Sequence, residues 1–173
     1  PAGASFDHLH RQLVAIDELG TRNERAIEAL ASNPHVHRDL ITEAREHALV
    51  LAENEHAVAF AGFGHRFPTI EILSTSSVTD PGLQSDEEVA AMSDLVHGIH
   101  AATGAQVPCN EEWSQLHHRV GVPLPWHISI KWRISTLAGF EGGTKIYLNT
   151  ISPHDIRDRL MPRLRELQLA GQL

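Results

Sequence analysis

At 173 residues the chain is long enough for one domain or a little more, with a buried core. Its formal net charge of −8 argues against broad nucleic-acid binding. The single cysteine, Cys109, excludes an internal disulfide and fits a reducing compartment. No apolar run approaches the ~18 residues of a membrane span, and no signal-peptide pattern opens the sequence, so a cytoplasmic location is expected.

The first element is Gly3-Ala4-Ser5-Phe6-Asp7-His8-Leu9-His10-Arg11-Gln12-Leu13-Val14-Ala15-Ile16. Strand side chains alternate with period two, so His8, His10 and Gln12 share one face and Leu9, Arg11 and Leu13 the other. With 13 histidines in the chain, a single His-x-His is equally a strand with solvated imidazoles. Gly3 and Ser5 ahead of the strand, and Gln12 on its polar face, make the pattern more distinctive. Gly-Ala-Ser-x-x-His-Leu-His-Arg-Gln resembles the signature of the galactose-1-phosphate uridylyltransferase family, the transferase branch of the histidine-triad (HIT) superfamily. That signature reads roughly Gly-x-Ser-x-x-His-Pro-His-Gly-Gln. Leu9 and Arg11 depart from it, standing where the family commonly has Pro and Gly. Gln12 replaces the third histidine of HIT hydrolases, as in the transferase branch, which includes dinucleoside tetraphosphate phosphorylases.

The resemblance implies that His10 is a nucleophile attacking the α-phosphorus of a nucleotide sugar to give a nucleotidyl-histidine. Gln12 and Ser5 would hydrogen-bond the phosphoryl oxygens, where charge builds up in the transition state. A neutral amide at Gln12 cannot act as a base to activate water, which suits a transferase. His8 and Arg11 would contact substrate, and His8 matches a position that ligates zinc in some relatives.

Farther along, Thr21-x-x-Glu24 reads as a capping box opening a helix to about Ser32. Asn33-Pro34 reads as a second start, with Val36, Leu40, Ile41, Ala44, Ala48 and Leu51 at helical spacing as far as Glu53. His35, His37 and His47 read as solvated helix residues, with metal binding the lesser alternative. Glu24 or Glu28 corresponds by resemblance to an acidic ligand for a second metal. The runs 56–61 and 69–73 are short and apolar, and Gly62, Gly64 and Pro68 separate them, which predicts a hairpin. It resembles the opening of a second HIT-like repeat. His65 and Arg66 fall at its tip, where Arg66 could meet a phosphate.

Ser85-Asp86-Glu87-Glu88 is a capping box for a helix ending before Gly104, with Val89, Met92, Leu95, Val96 and Ile99 on one face. Residues 107–110 read as a strand and 111–122 as a loop. From Leu124 the chain alternates strictly: Trp126, Ile128, Ile130 and Trp132 face one way, and His127, Ser129, Lys131 and Arg133 the other. This strand resembles the second-repeat strand that carries metal ligands in some relatives, with Pro125 at the first ligand position and His127 at the second. His127 and Lys131 either face ligand or form the polar side of a half-buried strand. Gly139-Phe140-Glu141 resembles the family's Gly-Tyr-Glu segment, which lies near nucleotide sugar in the partner subunit's site; without that resemblance the Gly-rich run is a tight turn. Residues 145–149 read as a strand. Ser152-Pro153-x-Asp155 caps a last helix that Pro162 should kink or break.

The expected fold is α+β, a HIT-like antiparallel sheet with flanking helices. Residues 1–54 would form a partial first repeat and residues 55–173 a second. The expected activity moves UMP between UDP-hexose and hexose-1-phosphate, with nucleotide sugar and sugar phosphate as partners and no nucleic acid or membrane. The rivals are a dinucleoside polyphosphate phosphorylase or hydrolase, and a non-catalytic nucleotide-binding or dimerisation fragment. No cofactor is required by the sequence. Zinc is possible in the full-length family, but its site uses upstream residues, often Cys-x-x-Cys, that this sequence lacks. The sequence opens two residues before the motif without an initiator Met, which reads as a fragment or processed product. An apolar strand at 8–16 without its upstream partners is a template for another chain. Sedimentation should therefore reveal a homodimer; a strictly monomeric species with full uridylyl exchange would contradict this.

Overall fold

The computed structural model describes residues 18–115, 121, 122, 124–134 and 138–171. The motif at 3–12 lies outside the described residues. Two helices open the described chain, α1 (Gly20–Ser32) and α2 (Val36–Glu46). Three strands follow, β1 (Val50–Glu53), β2 (Ala57–Ala61) and β3 (Thr69–Ser74), then helix α3 (Asp86–Thr103). Strands β4 (Cys109–Ser114) and β5 (His127–Trp132) precede the short helix α4 (Gly139–Thr144) and the last helix α5 (Pro153–Leu169).

The strands make one antiparallel sheet in the order β1-β2-β3-β5-β4. Its register sets the two faces. Ala59, Ile72, Ile128 and Trp113 form one cross-strand row, and Ala61, Ile70, Ile130 and Glu111 another on the same side. α3 and α5 pack on that side, burying Met92, Leu95, Ile99, Ile156, Leu160 and Leu164 against the sheet in one core. The opposite face carries the row Phe60, Glu71, Ser129, Glu112, flanked by Leu73–His127 and Thr69–Lys131. β2 and β3 are buried throughout, so both sheet faces are covered there, yet one of them presents polar side chains. α1 is seated separately, with Leu30 packed on Leu124 and on Val36 at the start of α2.

The hairpin, the alternation along β5 and the caps of α3 and α5 follow the sequence pattern. Ser85 accepts from the Glu88 amide while Glu88 accepts from the Ser85 amide, and Ser152 and Asp155 do the same for α5. Other expectations are corrected. α1 begins at Gly20 with no side-chain cap, so Thr21 lies inside the helix. α2 starts at Val36, with Asn33 accepting from the His35 amide just ahead of it. It ends at Glu46, because Ala48 takes a left-handed conformation (φ 53°) and turns the chain into β1, which pairs with β2. Residues 111–114 belong to β4 rather than to a loop, and they use the free edge of β5.

The Gly-rich run at 139–143 is helical, not a tight turn. Residues 145–149 form no strand. Lys145 caps α4 with a positive φ, and Ile146 and Leu148 stay exposed with no strand beside them. α5 runs unbroken through Pro162. Proline leaves the carbonyl four residues earlier without its donor, but Asp158 and Pro162 are on the solvent side, where that carbonyl is not forced into an apolar surround. Ser85→Ala removes the α3 cap and should cost about 1 kcal/mol. Thermal unfolding should show this as a midpoint lowered by about 2–4 °C.

Candidate functional site

The polar row on the sheet is organised around Glu71. Strand alternation puts its side chain between the apolar Ile70 and Ile72 but on the opposite face, under α1, where it is only 7% exposed. The Ser129 hydroxyl, directly across on β5, lies 2.9 and 3.0 Å from the two carboxylate oxygens. Arg22 reaches down from α1. One guanidinium nitrogen lies 3.0 Å from Ser129 Oγ and 3.5 Å from Glu71, and another is 3.1 Å from Glu112. Lys131, on the same face of β5, also pairs with Glu112.

His65 closes the other side of Glu71, with Nε2 3.1 Å from a carboxylate oxygen. The hairpin turn folds back to bring it there. A Cβ on Gly62 would meet the His65 ring at 2.8 Å, so only glycine lets the ring lie against the backbone. The sheet face, α1 and α2 enclose a cavity of about 250 Å³ lined by Arg22, Phe60, Phe63, His65, Glu71 and His127, with His37 and Leu40 from α2.

Burial sets the protonation of this site. It pushes the Glu71 carboxyl up to about 7, against the opposing pull of the Ser129 hydroxyl, Arg22 and Lys131. Burial, with Arg22 and Lys131 nearby, holds His65 down at about 4. Burial also holds His127 at about 4 and His37 below the usual histidine range. Three neutral imidazoles and a carboxyl that titrates near neutrality thus face one cavity. His127 has a fixed tautomer. Its Nδ1 is 3.1 Å from the Pro125 carbonyl, which can only accept, so Nδ1 carries the hydrogen and Nε2 the lone pair.

Of the residues anticipated from sequence, Ser5, His8, His10, Arg11 and Gln12 lie outside the described residues. His127 and Lys131 come together on the polar sheet face. Phe140 and Glu141 do not join them: Phe140 is half exposed on α4, and Glu141 accepts from the Ala138 amide at the helix start. Glu24 and Glu28 point outward on α1. Arg66 stacks on Tyr147, 3.9 Å from the ring centre, and on Phe67.

Pro125 offers no side-chain donor where the resemblance places a first metal ligand, so the described residues do not fit that metal site. Among them no group of three or more His, Cys, Asp or Glu is placed to hold a metal ion. The sequence reading missed Glu71, Arg22, His37 and Ser129 as site residues and left His65 in a loop. The available signal was a charged residue inside the apolar run at 69–73.

Residues 1–173 match the model of the family described as domain of unknown function DUF4921. The chain belongs to that family. No curated protein matches it. Among solved structures, this DUF4921 chain is similar to a uridylyltransferase at 18% identity and a TM-score of 0.68, covering 86% of this chain and 51% of that one. It is also similar to an ADP-glucose phosphorylase from Arabidopsis thaliana with bound ADP-glucose, at 22% identity and a TM-score of 0.58, covering 69% and 41%. A zinc-bound histidine triad family protein from Mycobacterium smegmatis matches at 14% identity and a TM-score of 0.51, covering 70% and 87%. The DUF4921 chain thus has a HIT-like α+β fold and spans about half the length of the uridylyltransferase. No described helix is long and apolar enough to cross a membrane.

Glu71 gives the site a pH signature. Its folded pKa of about 7 is above the ordinary 4.5, so its contribution to stability is full below pH 4.5 and is lost as pH rises to about 7. His65 and His127, held at about 4, act in the opposite sense between about pH 4 and 6.5. The difference between wild type and Glu71→Gln isolates the carboxyl. In denaturant unfolding, the variant should gain on wild type steadily between pH 4.5 and 7 and level off above. A constant offset across that range would contradict the assignment.

Proposed function

We propose that this chain is a nucleotidyltransferase, moving UMP between UDP-hexose and hexose-1-phosphate through a covalent nucleotidyl-His10. The observation that carries the reading is the His8-Leu9-His10-Arg11-Gln12 motif on a chain whose fold resembles a uridylyltransferase over 86% of its length. An imidazole nitrogen of His10 attacks the α-phosphorus, and the bond to the hexose-1-phosphate oxygen breaks. A second sugar phosphate then attacks the same phosphorus and frees His10. Ser5 and Gln12 hold the phosphoryl oxygens in this scheme. Lys131 and Arg22 place two cations on the polar sheet face, with Glu112 bonded to both. A homodimer in which Phe140 and Glu141 approach the partner subunit's substrate belongs to the same proposal.

A second reading exchanges the base. The ADP-glucose phosphorylase of similar fold acts on an adenine nucleotide, which favours adenylyl transfer as the rival. Radiolabelled UDP-glucose and ADP-glucose, each incubated with the protein, separate the two. An acid-labile label on the protein is expected from one of them, with UDP-glucose the first choice. His10→Ala should abolish the label while leaving thermal unfolding within a few degrees of wild type. Undiminished label on that variant would sink the nucleophile assignment, and label from ADP-glucose alone would replace uridylyl by adenylyl transfer.

A further inference from the structure

One group of reactive side chains lies away from the polar face and takes no part in the His10 scheme. It is on the opposite side of the sheet, where the last turn of α3 meets the edge strand β4. Cys109, Glu111 and Trp113 alternate with Asn110 and Glu112 along β4 and share its α3 side. His100, from the last turn of α3, joins them. Its Nε2 is 2.8 Å from a Glu111 carboxylate oxygen, and its Nδ1 is 3.9 Å from the Cys109 sulfur. The other Glu111 oxygen accepts from the Trp113 indole at 2.5 Å. Thiol, imidazole and carboxylate thus form a chain with the ring in the middle.

These contacts decide where the proton is. Cys109 first, and then Glu111, raise His100 to about 9 against the effect of burial. The C-terminal end of α3 favours the same charge, because a cation there meets the helix dipole. The ring is therefore an imidazolium at neutral pH, with one N–H on the carboxylate and the other toward the sulfur. An imidazolium beside a cysteine is the setting in which a thiolate forms and attacks as a nucleophile.

A second observation comes from the neighbouring strand. Trp132 is the register partner of Cys109 on β5, so the two side chains are cross-strand neighbours on one sheet face. Trp132 is only 4% exposed, and its indole N–H has no hydrogen-bond partner among the described residues. Buried donors left unsatisfied are uncommon in folded proteins. Next to a nucleophilic sulfur, this one suits an oxygen that arrives with the reagent. That reagent is small, because Cys109 is only partly exposed, although the edge position of β4 and the 36% exposure of the His100 side chain leave a way in. It also needs no second thiol, since Cys109 is the single cysteine of the chain.

We propose that Cys109 is a site of reversible oxidation by peroxide, with His100 as the proton donor and the Trp132 indole as the donor to the incoming oxygen. With hydrogen peroxide, the thiolate attacks one oxygen, and the S–O bond forms as the O–O bond breaks. Sulfur gives two electrons to the peroxide. The leaving hydroxide takes the Nδ1 proton of His100 and departs as water. The product is a sulfenic acid, which two equivalents of an external thiol return to cysteine, releasing water and a disulfide of that thiol. None of this rests on the nucleotidyl-transfer reading.

Thiol loss under hydrogen peroxide gives the rate, and a dimedone adduct read by mass spectrometry identifies the sulfenic acid. One adduct per chain is expected, on Cys109. The folded thiol should react at least about tenfold faster than the same chain unfolded in urea at the same pH. His100→Gln, which keeps a polar side chain and removes the charge, should slow the folded protein by about tenfold. Iodoacetamide, which brings no leaving oxygen, separates the two donors. His100→Gln should slow alkylation as well, whereas Trp132→Phe should slow only the peroxide reaction. The proposal is overturned if the folded thiol reacts no faster than the unfolded one, or if His100→Gln reacts as wild type does. Trp132→Phe with the full peroxide rate, or slowed equally with both reagents, would remove the indole from the site.

Discussion

The buried carboxyl of Glu71 is the constraint on which the rest of the structure depends. Strand alternation in β3 gives it no choice of face, and a carboxyl in that position is costly unless it is neutralised or paired. The structure answers in three directions at once: Ser129 from the next strand, Arg22 from α1 and His65 from the hairpin turn. Each answer fixes a piece of architecture. The Ser129 contact ties β3 to β5 side chain to side chain. Arg22 places the first turn of α1 over the sheet and also engages Glu112 on β4. His65 requires Gly62 and thereby the path of the turn. The cavity is the space these three contacts leave between them and α2.

The sequence was readable where local physics decides. Reciprocal caps located α3 and α5, short apolar runs between turn residues located β2 and β3, and period-two alternation located β5 and its two faces. It failed where tertiary partners decide. Residues 49–53 carry apolar spacing that suits a helix, yet Leu49 and Leu51 are buried as part of a strand once β2 offers a pairing edge. Residues 145–149 carry strand spacing, but the chain leaves α4 where no strand stands beside it. The same limit governs the site. His127 and Lys131 could be placed on one face from alternation alone. The meeting of Arg22, His65, Glu71 and Ser129 brings together residues as far as 107 positions apart, and no local pattern encodes it.

The chain shares the arrangement of strands and helices with a uridylyltransferase at 18% identity, and a shared fold does not by itself carry a shared site. Pro125 supplies a backbone carbonyl where a metal ligand is expected, and that carbonyl orients the imidazole next to it. That hydrogen bond fixes the tautomer of His127. A neutral imidazole with a defined acceptor is a recognition element, and its burial keeps it neutral through the physiological range.

The walls of the cavity come from distant parts of the chain: Arg22, Ala26, His37 and Leu40 from the two opening helices, and Phe60, Glu71 and His127 from the sheet. The cavity therefore joins residues from both sides of the boundary expected at 54/55. An occupant would touch both segments and would be released whenever the opening helices lifted away. By linkage, its binding free energy adds to the free energy that keeps those helices on the sheet. Hydrogen exchange along α1 and α2 would then report on any molecule held between those helices and the sheet.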